Sequence, residues 1–246
     1  VLPALGAVAL LLGAWELYVD LGGVDPLVLP APHRIATALW EDRGTLASSF
    51  WVTAREIVYG ILLAMPVALA AALLIHVAPL ARRSLYPLLW ASQAIPIPIL
   101  APVLILWFGF GLLPKLAVIA LVSFFPLTVT TVAALAAVDP DLPKLLRTFD
   151  ASRRQILLTL ELPAALPGIF TGAKLAAVFS VIGAVLAEWS GSNAGLGYLL
   201  IVTVQNLEMP EAYAAVILLA AFTIALTGLL TLAERRLLPW AYHPRG

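Results

Sequence analysis

Residues Lys144–Pro163 read KLLRTFDASRRQILLTLELP, a polar island set between long apolar runs. Four basic residues, Lys144, Arg147, Arg153 and Arg154, gather there in a sequence that is elsewhere nearly free of charge. Around the island, hydrophobic residues make up 62% of the 246 and charged residues 11%, with a mean hydropathy of +1.01, against roughly 25% charged in an ordinary soluble domain. The chain reads as an integral membrane protein, and the island as a handle on one side of the bilayer. Fourteen basic residues balance fourteen acidic ones, so no overall field recruits nucleic acid, and basic clusters are judged by their place along the membrane normal. There is no cysteine, which excludes disulfides and thiolate metal sites. The sequence opens directly on an apolar run with no basic region ahead of it and looks trimmed there. Nothing resembles a cleaved signal peptide, so the first segment is expected to stay in the membrane.

A hydrocarbon core of about 30 Å needs roughly 20 apolar residues of helix. Six stretches meet that requirement: Leu2–Val19, Ser49–Ile75, Tyr86–Phe108, Leu116–Val138, Gly168–Ala187 and Ala212–Leu232. An all-α bundle of six transmembrane helices is expected, with the island between the fourth and fifth. A barrel is disfavoured because its strands would alternate polar and apolar residues, whereas these runs are continuously apolar. Placing the Arg82–Arg83 connection, the island and the Glu234–Arg245 tail on one side gathers nine basic residues there. Arg34, Arg43, Arg55 and Lys115 remain on the other, so the nine-residue side and both termini are expected in the cytoplasm. Asp20–Pro32, rich in Gly and Pro, reads as an extended outer loop, followed by a short interfacial helix over Arg34–Asp42. Pro96, Pro98 and Pro102 remove backbone donors from the third run and are expected to kink or unwind it.

Within the island, Leu142, Leu145, Leu146 and Phe149 recur at helical spacing, and Ile156, Leu157 and Leu160 resume the stripe after a polar interruption. Two short amphipathic helices meeting at a polar elbow are predicted. Asp139–Pro140 supplies an N-cap and first turn for the first helix, and Ser152 with Gln155 a capping box for the second. Arg153 and Arg154 then fall in a first turn, where the helix dipole disfavours cations by about 0.3–1 kcal/mol. Anchoring at the lipid surface is the plain reading of these charges, and a protein partner the sharper one. Pro163 and Pro167–Gly168 are expected to end the second helix and turn the chain back into the membrane.

These residues resemble the EAA loop of permease subunits of type I ATP-binding-cassette importers, whose pattern runs Glu-Ala-Ala, three residues, Gly, nine residues, Ile, one residue, Leu-Pro. Leu162–Pro163 occupies the final pair, Leu160 the Ile position, Asp150 the Gly position and Lys144-Leu145-Leu146 the Glu-Ala-Ala position. The spacing matches, while the leading glutamate and the glycine are replaced. RTFDASRRQILLTLELPAALPGIFTGAKLA, LVLPAPHRI, APVLILWFGFG and AEWSGSNAGLGYLL are similar in order to the branch that handles nitrate, sulfonates, taurine and thiamine precursors.

The resemblance implies a multi-pass permease of a bacterial cytoplasmic membrane, with a first helix and outer loop over residues 1–48, a permease core over 49–238 and a cytoplasmic tail over 239–246. It implies a coupling helix seated on a cytoplasmic ATPase present in two copies, with Lys144, Arg147, Phe149, Asp150, Ala151, Ser152, Arg153, Arg154, Leu162 and Pro163 as the coupling residues. A second permease copy, most simply a homodimer, and an extracytoplasmic binding protein are the remaining partners. No nucleotide-binding or His-Glu-x-x-His motif occurs, so the chain is not expected to be an enzyme, and ATP and Mg belong to the ATPase. No cofactor, metal or catalytic residue is assigned to the chain itself.

Ionisable residues inside the apolar runs are functional candidates. Lys174 is expected to snorkel to the cytoplasmic surface, Glu16 to sit in an aromatic belt with Trp15 and Tyr18, and Arg55 and Glu56 to pair in the outer leaflet. Glu188 and Trp189, at the end of the fifth run, are candidates for the substrate path, with contact to the binding protein as the plainer role. Ser92, Gln93 and Pro96 are further path candidates. A carboxylate beside an aromatic ring, and the AEWSGS wording, favour a thiamine precursor or a riboflavin-like heterocycle, with sulfonate, taurine or nitrate as alternatives. His33, His76 and His243 form no ligand-spaced cluster and read as interfacial or solvated. Gly168 and Gly172 have the spacing of a close helix contact. A secondary carrier is a rival function, but inverted halves are not visible. An intramembrane hydrolase is another, but Ser123 and Ser180 have no evident base.

Overall fold

The computed structural model describes residues 2–241; His243 and Arg245 lie outside the described residues. The chain folds into helices α1 (Leu2–Gly22), α2 (Pro32–Glu41), α3 (Arg43–Val77), α4 (Pro79–Ser92), α5 (Ile97–Phe108) and α6 (Leu112–Ala136). After these come α7 (Asp141–Thr148), α8 (Arg153–Ile156), a π turn (Leu157–Glu161), α9 (Leu162–Gly191), α10 (Leu196–Gln205), α11 (Met209–Leu237) and a 3₁₀ turn at Pro239–Ala241. No strand occurs among the described residues. Four helical stretches, α3, α6, the run from α8 through α9, and α11, are long and apolar enough to cross a membrane; the bent pair α4–α5 makes a fifth. The all-helical membrane class is therefore as the composition predicts.

Two of the sequence expectations meet their physical cause directly. The prolines of the third run break it into α4 and α5, whose axes meet at 101°. Pro96 caps α5 in an extended conformation (φ −62°, ψ 124°), and neither Pro96 nor Pro98 has an N–H with which to continue the preceding helix. By contrast, Pro163 and Pro167 do not end a helix. Helix runs without interruption from Arg153 to Gly191; a π turn stands directly ahead of Pro163, with Leu162 N–H donating to Leu157 O, five residues back, while Pro167 lies inside regular α9. The loop before α2 is also shorter than expected. Helix α1 continues through Asp20 to Gly22, and Asp25 Oδ1 then accepts from Leu27 N–H (2.9 Å) in a tight turn.

The described chain divides into two compact units, one formed by residues before Glu56 with Glu188–Phe222, the other by Glu56–Ala187 with the segment from Thr223 onward. In the first, Ile35 and Ala38 form the buried face of α2. Edge-on ring contacts join Phe50 to Phe222 (centroids 5.5 Å apart), and Trp15 lies 6.4 Å from Tyr213. In the second unit α6 is the hub, with Val118, Ile119, Leu127 and Leu135 almost fully buried. Glycines let its neighbours approach closely. A Cβ at Gly168 would stand 2.3 Å from Ala134 Cβ, one at Gly172 2.0 Å from Thr130 Oγ1, and one at Gly60 2.3 Å from Ile119 Cγ2. The Gly168/Gly172 spacing is thus a seat for α6 on α9.

Candidate functional site

The island forms the predicted elbow. Asp139 Oδ1 accepts from Asp141 N–H (2.9 Å), the bond of an N-cap to the second residue after it, although regular helix begins only at Asp141, after Pro140. Helix α7 ends in a paired arrangement: Asp150 N–H donates to Arg147 O and Ala151 N–H to Leu146 O, both at 3.1 Å. That is a Schellman ending, whose last residue takes left-handed geometry and is usually glycine. Asp150 occupies it with φ 59°, so the residue standing in the family's glycine position adopts the conformation that glycine favours, at a cost of about 1 kcal/mol. Ser152 then opens α8 with the full capping box: Gln155 N–H donates to Ser152 Oγ (3.3 Å) and Ser152 N–H to Gln155 Oε1 (2.8 Å).

Helix α7 buries none of its residues. Leu142, Leu145 and Phe149 are exposed by 42%, 53% and 74%, so the apolar stripe is not packed on the bundle. Lys144 pairs with Asp141 in the open (2.8 Å), and Arg147, Ser152 and Arg154 are exposed, while Ala151, Leu162 and Pro163 are half-buried. Arg153 differs from the other cations. It reaches Glu161 Oε1 (2.7 Å), and the second oxygen of that buried carboxylate lies 2.9 Å from His76 Nε2, at the end of α3. His76 is therefore paired rather than solvated, with a side chain only 15% exposed.

A cavity of about 920 Å³ opens at the α4–α5 break. Ser92, Gln93 and Pro96 form part of its wall, facing Phe124, Phe125 and Phe179, and no charged side chain lines it among the described residues. Ser92 Oγ donates to Leu89 O (2.7 Å), and the Gln93 amide donates to Ser92 Oγ (3.3 Å).

Glu188 and Trp189 are not part of that cavity's lining. Glu188 is 1% exposed. Its carboxylate accepts from Thr53 Oγ1 (2.7 Å), Gly197 N–H (2.6 Å) and Tyr198 N–H (3.2 Å), so it sits on the N-terminal turn of α10. Gly195, at φ +115°, leaves room for it: a Cβ there would stand 2.3 Å from the carboxylate. Trp189, half-exposed, donates its indole N–H to Gly197 O (2.8 Å). The pair fastens the α9–α10 corner.

The other intramembrane charges are paired across helices. Lys174 does not snorkel alone but binds Glu234, and Glu56 finds its partner in Lys115, one of the basic residues that the charge distribution gathers with Arg55. Arg55 Nε donates to Trp51 O (3.0 Å). His33 pairs with Glu16, and with Asp20 these three place one ligand atom each within 4.8 Å of one another, a grouping that the sequence reading did not bring together. Ser123 and Ser180 spend their hydroxyls on the backbone carbonyls of Ala176 (3.4 Å) and Ala177 (2.7 Å), which gives no support to a hydrolase. The three ion pairs Glu16–His33, Glu56–Lys115 and Lys174–Glu234 were not visible to local pattern, because the partners stand 17 to 60 residues apart.

Four apolar spans and a bent pair make an all-helical membrane chain, and comparison with known proteins gives its class. The chain belongs to the family of binding-protein-dependent transport system inner membrane components, which it matches over residues 60–240. It is 33% identical over 232 residues to the formylaminopyrimidine transport permease protein ThiX of Halalkalibacterium halodurans, covering 94% of this chain and 92% of that one. It is 34% identical over 243 residues to the riboflavin transport system permease protein RibX of Chloroflexus aurantiacus, covering 97% and 91%. With the putative aliphatic sulfonates transport permease protein SsuC of Bacillus subtilis it shares 30% identity over 240 residues, covering 97% and 87%. Among solved structures, a chain of the inward-facing MetNI methionine ABC transporter superposes with a TM-score of 0.66 at 18% identity, covering 82% of this chain and 99% of that one, which speaks for the fold. The protein is an ATP-binding-cassette importer permease, and the relatives are transporter subunits, not enzymes.

Proposed function

We propose that this permease carries a small, uncharged, flat nitrogen heterocycle, a thiamine precursor of the hydroxymethylpyrimidine kind or a riboflavin-like ring, handed over by an extracytoplasmic binding protein. The observation that carries this reading is the cavity at the α4–α5 break. Among the described residues, three phenylalanines and one glutamine amide border it and no charged side chain does. An aromatic ring stacks and hydrogen-bonds in such a place, whereas a sulfonate or nitrate would leave water for a site with no cation to receive it. The names of the relatives at 33% and 34% identity point the same way, and the sulfonate relative at 30% supplies the alternative. Ser92, Gln93 and Pro96 are the path residues on this reading. Glu188 and Trp189 hold the α9–α10 corner rather than the cargo.

The elbow α7–α8 is the coupling helix of the EAA loop in this proposal. Its exposed Leu142, Leu145 and Phe149, flanked by Lys144, Arg147 and Arg154, dock in an ATPase groove, with Asp150, Ala151 and Ser152 shaping the turn and Leu162–Pro163 rooting it in α9. With α1 as the first of six spans, the elbow, the α3–α4 corner and both termini face the cytoplasm, and residues 49–238 form the permease core. A homodimer with two ATPase copies completes the path. ATP and Mg are bound by the ATPase alone.

The test is ATPase activity of the assembled transporter in nanodiscs, with binding protein and, in turn, hydroxymethylpyrimidine, formylaminopyrimidine, riboflavin, taurine, an aliphatic sulfonate and nitrate. Stimulation by a pyrimidine or the flavin is expected. Stimulation by taurine, sulfonate or nitrate in their place overturns the cargo assignment.

A further inference from the structure

Glu161 lies between the two residues of the EAA pattern's Leu160 and Leu162, at a position where that pattern specifies nothing. It is 4% exposed, yet ionisable, and it ends the π turn. Arg153, at the tip of the elbow, and His76, at the end of α3, each hold one of its oxygens, at 2.7 and 2.9 Å, and they stand 3.5 Å from each other. The π turn creates this geometry. In an unbroken α-helix, residues eight apart are rotated by about 80° around the axis; one extra residue in the wider turn reduces that to about 20°. Arg153 and Glu161 thereby come onto one face, two turns apart, and that face is the one turned to α3. Straight helix would aim the carboxylate away from one partner or the other.

From this geometry we infer that Glu161 is a positioning residue through which displacement of the elbow is delivered to α3, and that Arg153 and His76 are its two linkages. The inference rests on the reading of the elbow as the ATPase-coupling loop. The elbow has only one covalent route into each neighbouring membrane helix, through α6 and through α9, and none into α3. The Arg153–Glu161–His76 knot supplies a non-covalent route instead. Its members are side chains rather than backbone, and the arginine is 44% exposed, so the linkage can shift between arrangements without breaking a helix. Such two-state polar contacts are a physical means of coupling distant sites, typically by factors of roughly five or more.

The test uses the complete transporter carrying Glu161→Ala, Glu161→Gln or His76→Ala, in nanodiscs for ATPase binding, stability and hydrolysis and in sealed proteoliposomes for import. Four quantities are read: ATPase co-purification, thermal midpoint, hydrolysis with and without loaded binding protein, and ATP consumed per solute imported. Expected are retained co-purification, a rise of roughly five-fold or more in ATP consumed per solute for Glu161→Ala and His76→Ala, and a smaller rise for Glu161→Gln, which keeps one acceptor oxygen and loses the charge. A lowered thermal midpoint with an unchanged ratio would reduce the knot to a structural fastening and overturn the inference. So would loss of the ATPase from the Glu161 and His76 variants, because the knot would then be shaping the docking surface. Phe149→Ala is the separate control on the underlying reading: if it leaves ATPase binding intact, the coupling-loop assignment itself fails, whatever the ratio does in the other variants.

Discussion

Two buried glutamates near opposite ends of α9 are held by different chemistry. Glu188 accepts from two backbone N–H groups of α10 and from the Thr53 hydroxyl. Glu161 is held by an arginine and a histidine side chain. Backbone donors cannot move without unwinding the helix that carries them, so the first carboxylate is a fixed point of the fold. Side-chain donors move by rotamer, so the second can exchange partners while both helices stay intact. The same residue type thus fastens one corner and leaves the other free to work.

The largest expected effect is on the fixed corner. Glu188→Ala leaves two amides and a hydroxyl without their acceptor and should cost about 3 kcal/mol or more, read as a fall in the thermal midpoint in nanodiscs. Glu161→Ala, whose arginine can turn to water, should cost clearly less; equal losses would erase the distinction between the two sites. Next comes Gly195→Ala. The backbone there stands at φ +115° and the new methyl would meet the Glu188 carboxylate at 2.3 Å, so a loss of about 2 kcal/mol is expected. A silent Gly195→Ala would mean that the corner yields. The smallest effect is at the elbow. Asp150→Gly should stabilise by about 1 kcal/mol, because glycine takes the left-handed position without the steric cost, while Asp150→Val should destabilise by a similar amount. If both leave the thermal midpoint unmoved, the Schellman ending carries no strain and the elbow is softer than the bonds suggest.

What the sequence made legible was whatever has a local cause. Long apolar runs announced four spans and the bent pair, out of the six expected, the Pro96–Pro98 pair announced the break, and Ser152 with Gln155 announced the start of α8. Gly168 and Gly172 advertised their contact by spacing alone. The misreadings share one origin. Pro163 is a helix breaker in isolation, but the five-residue turn directly upstream changes which carbonyl is left without a donor, and Pro167 is taken into α9 without one. Lys174 was expected to snorkel because Glu234, its partner, lies 60 residues away. Glu188 is a candidate for the substrate path or for a contact with the binding protein by sequence, and nothing near it in the chain reveals that Thr53 and the α10 amides surround it. The Asp150 substitution was legible as a departure from the family pattern, but only the backbone angle shows that the departure leaves the geometry in place.

The glycine seats on α6 have a consequence for time scales. Where Gly60, Gly168 and Gly172 meet Ile119, Ala134 and Thr130, there is no room for even one added methyl without displacement, so water and breathing motions have little access. Amide protons at those crossings should exchange with solvent more slowly than any others in the chain, and should keep that rate in every stage of the transport cycle. A crossing whose exchange quickens during turnover would mark a seam along which the permease opens.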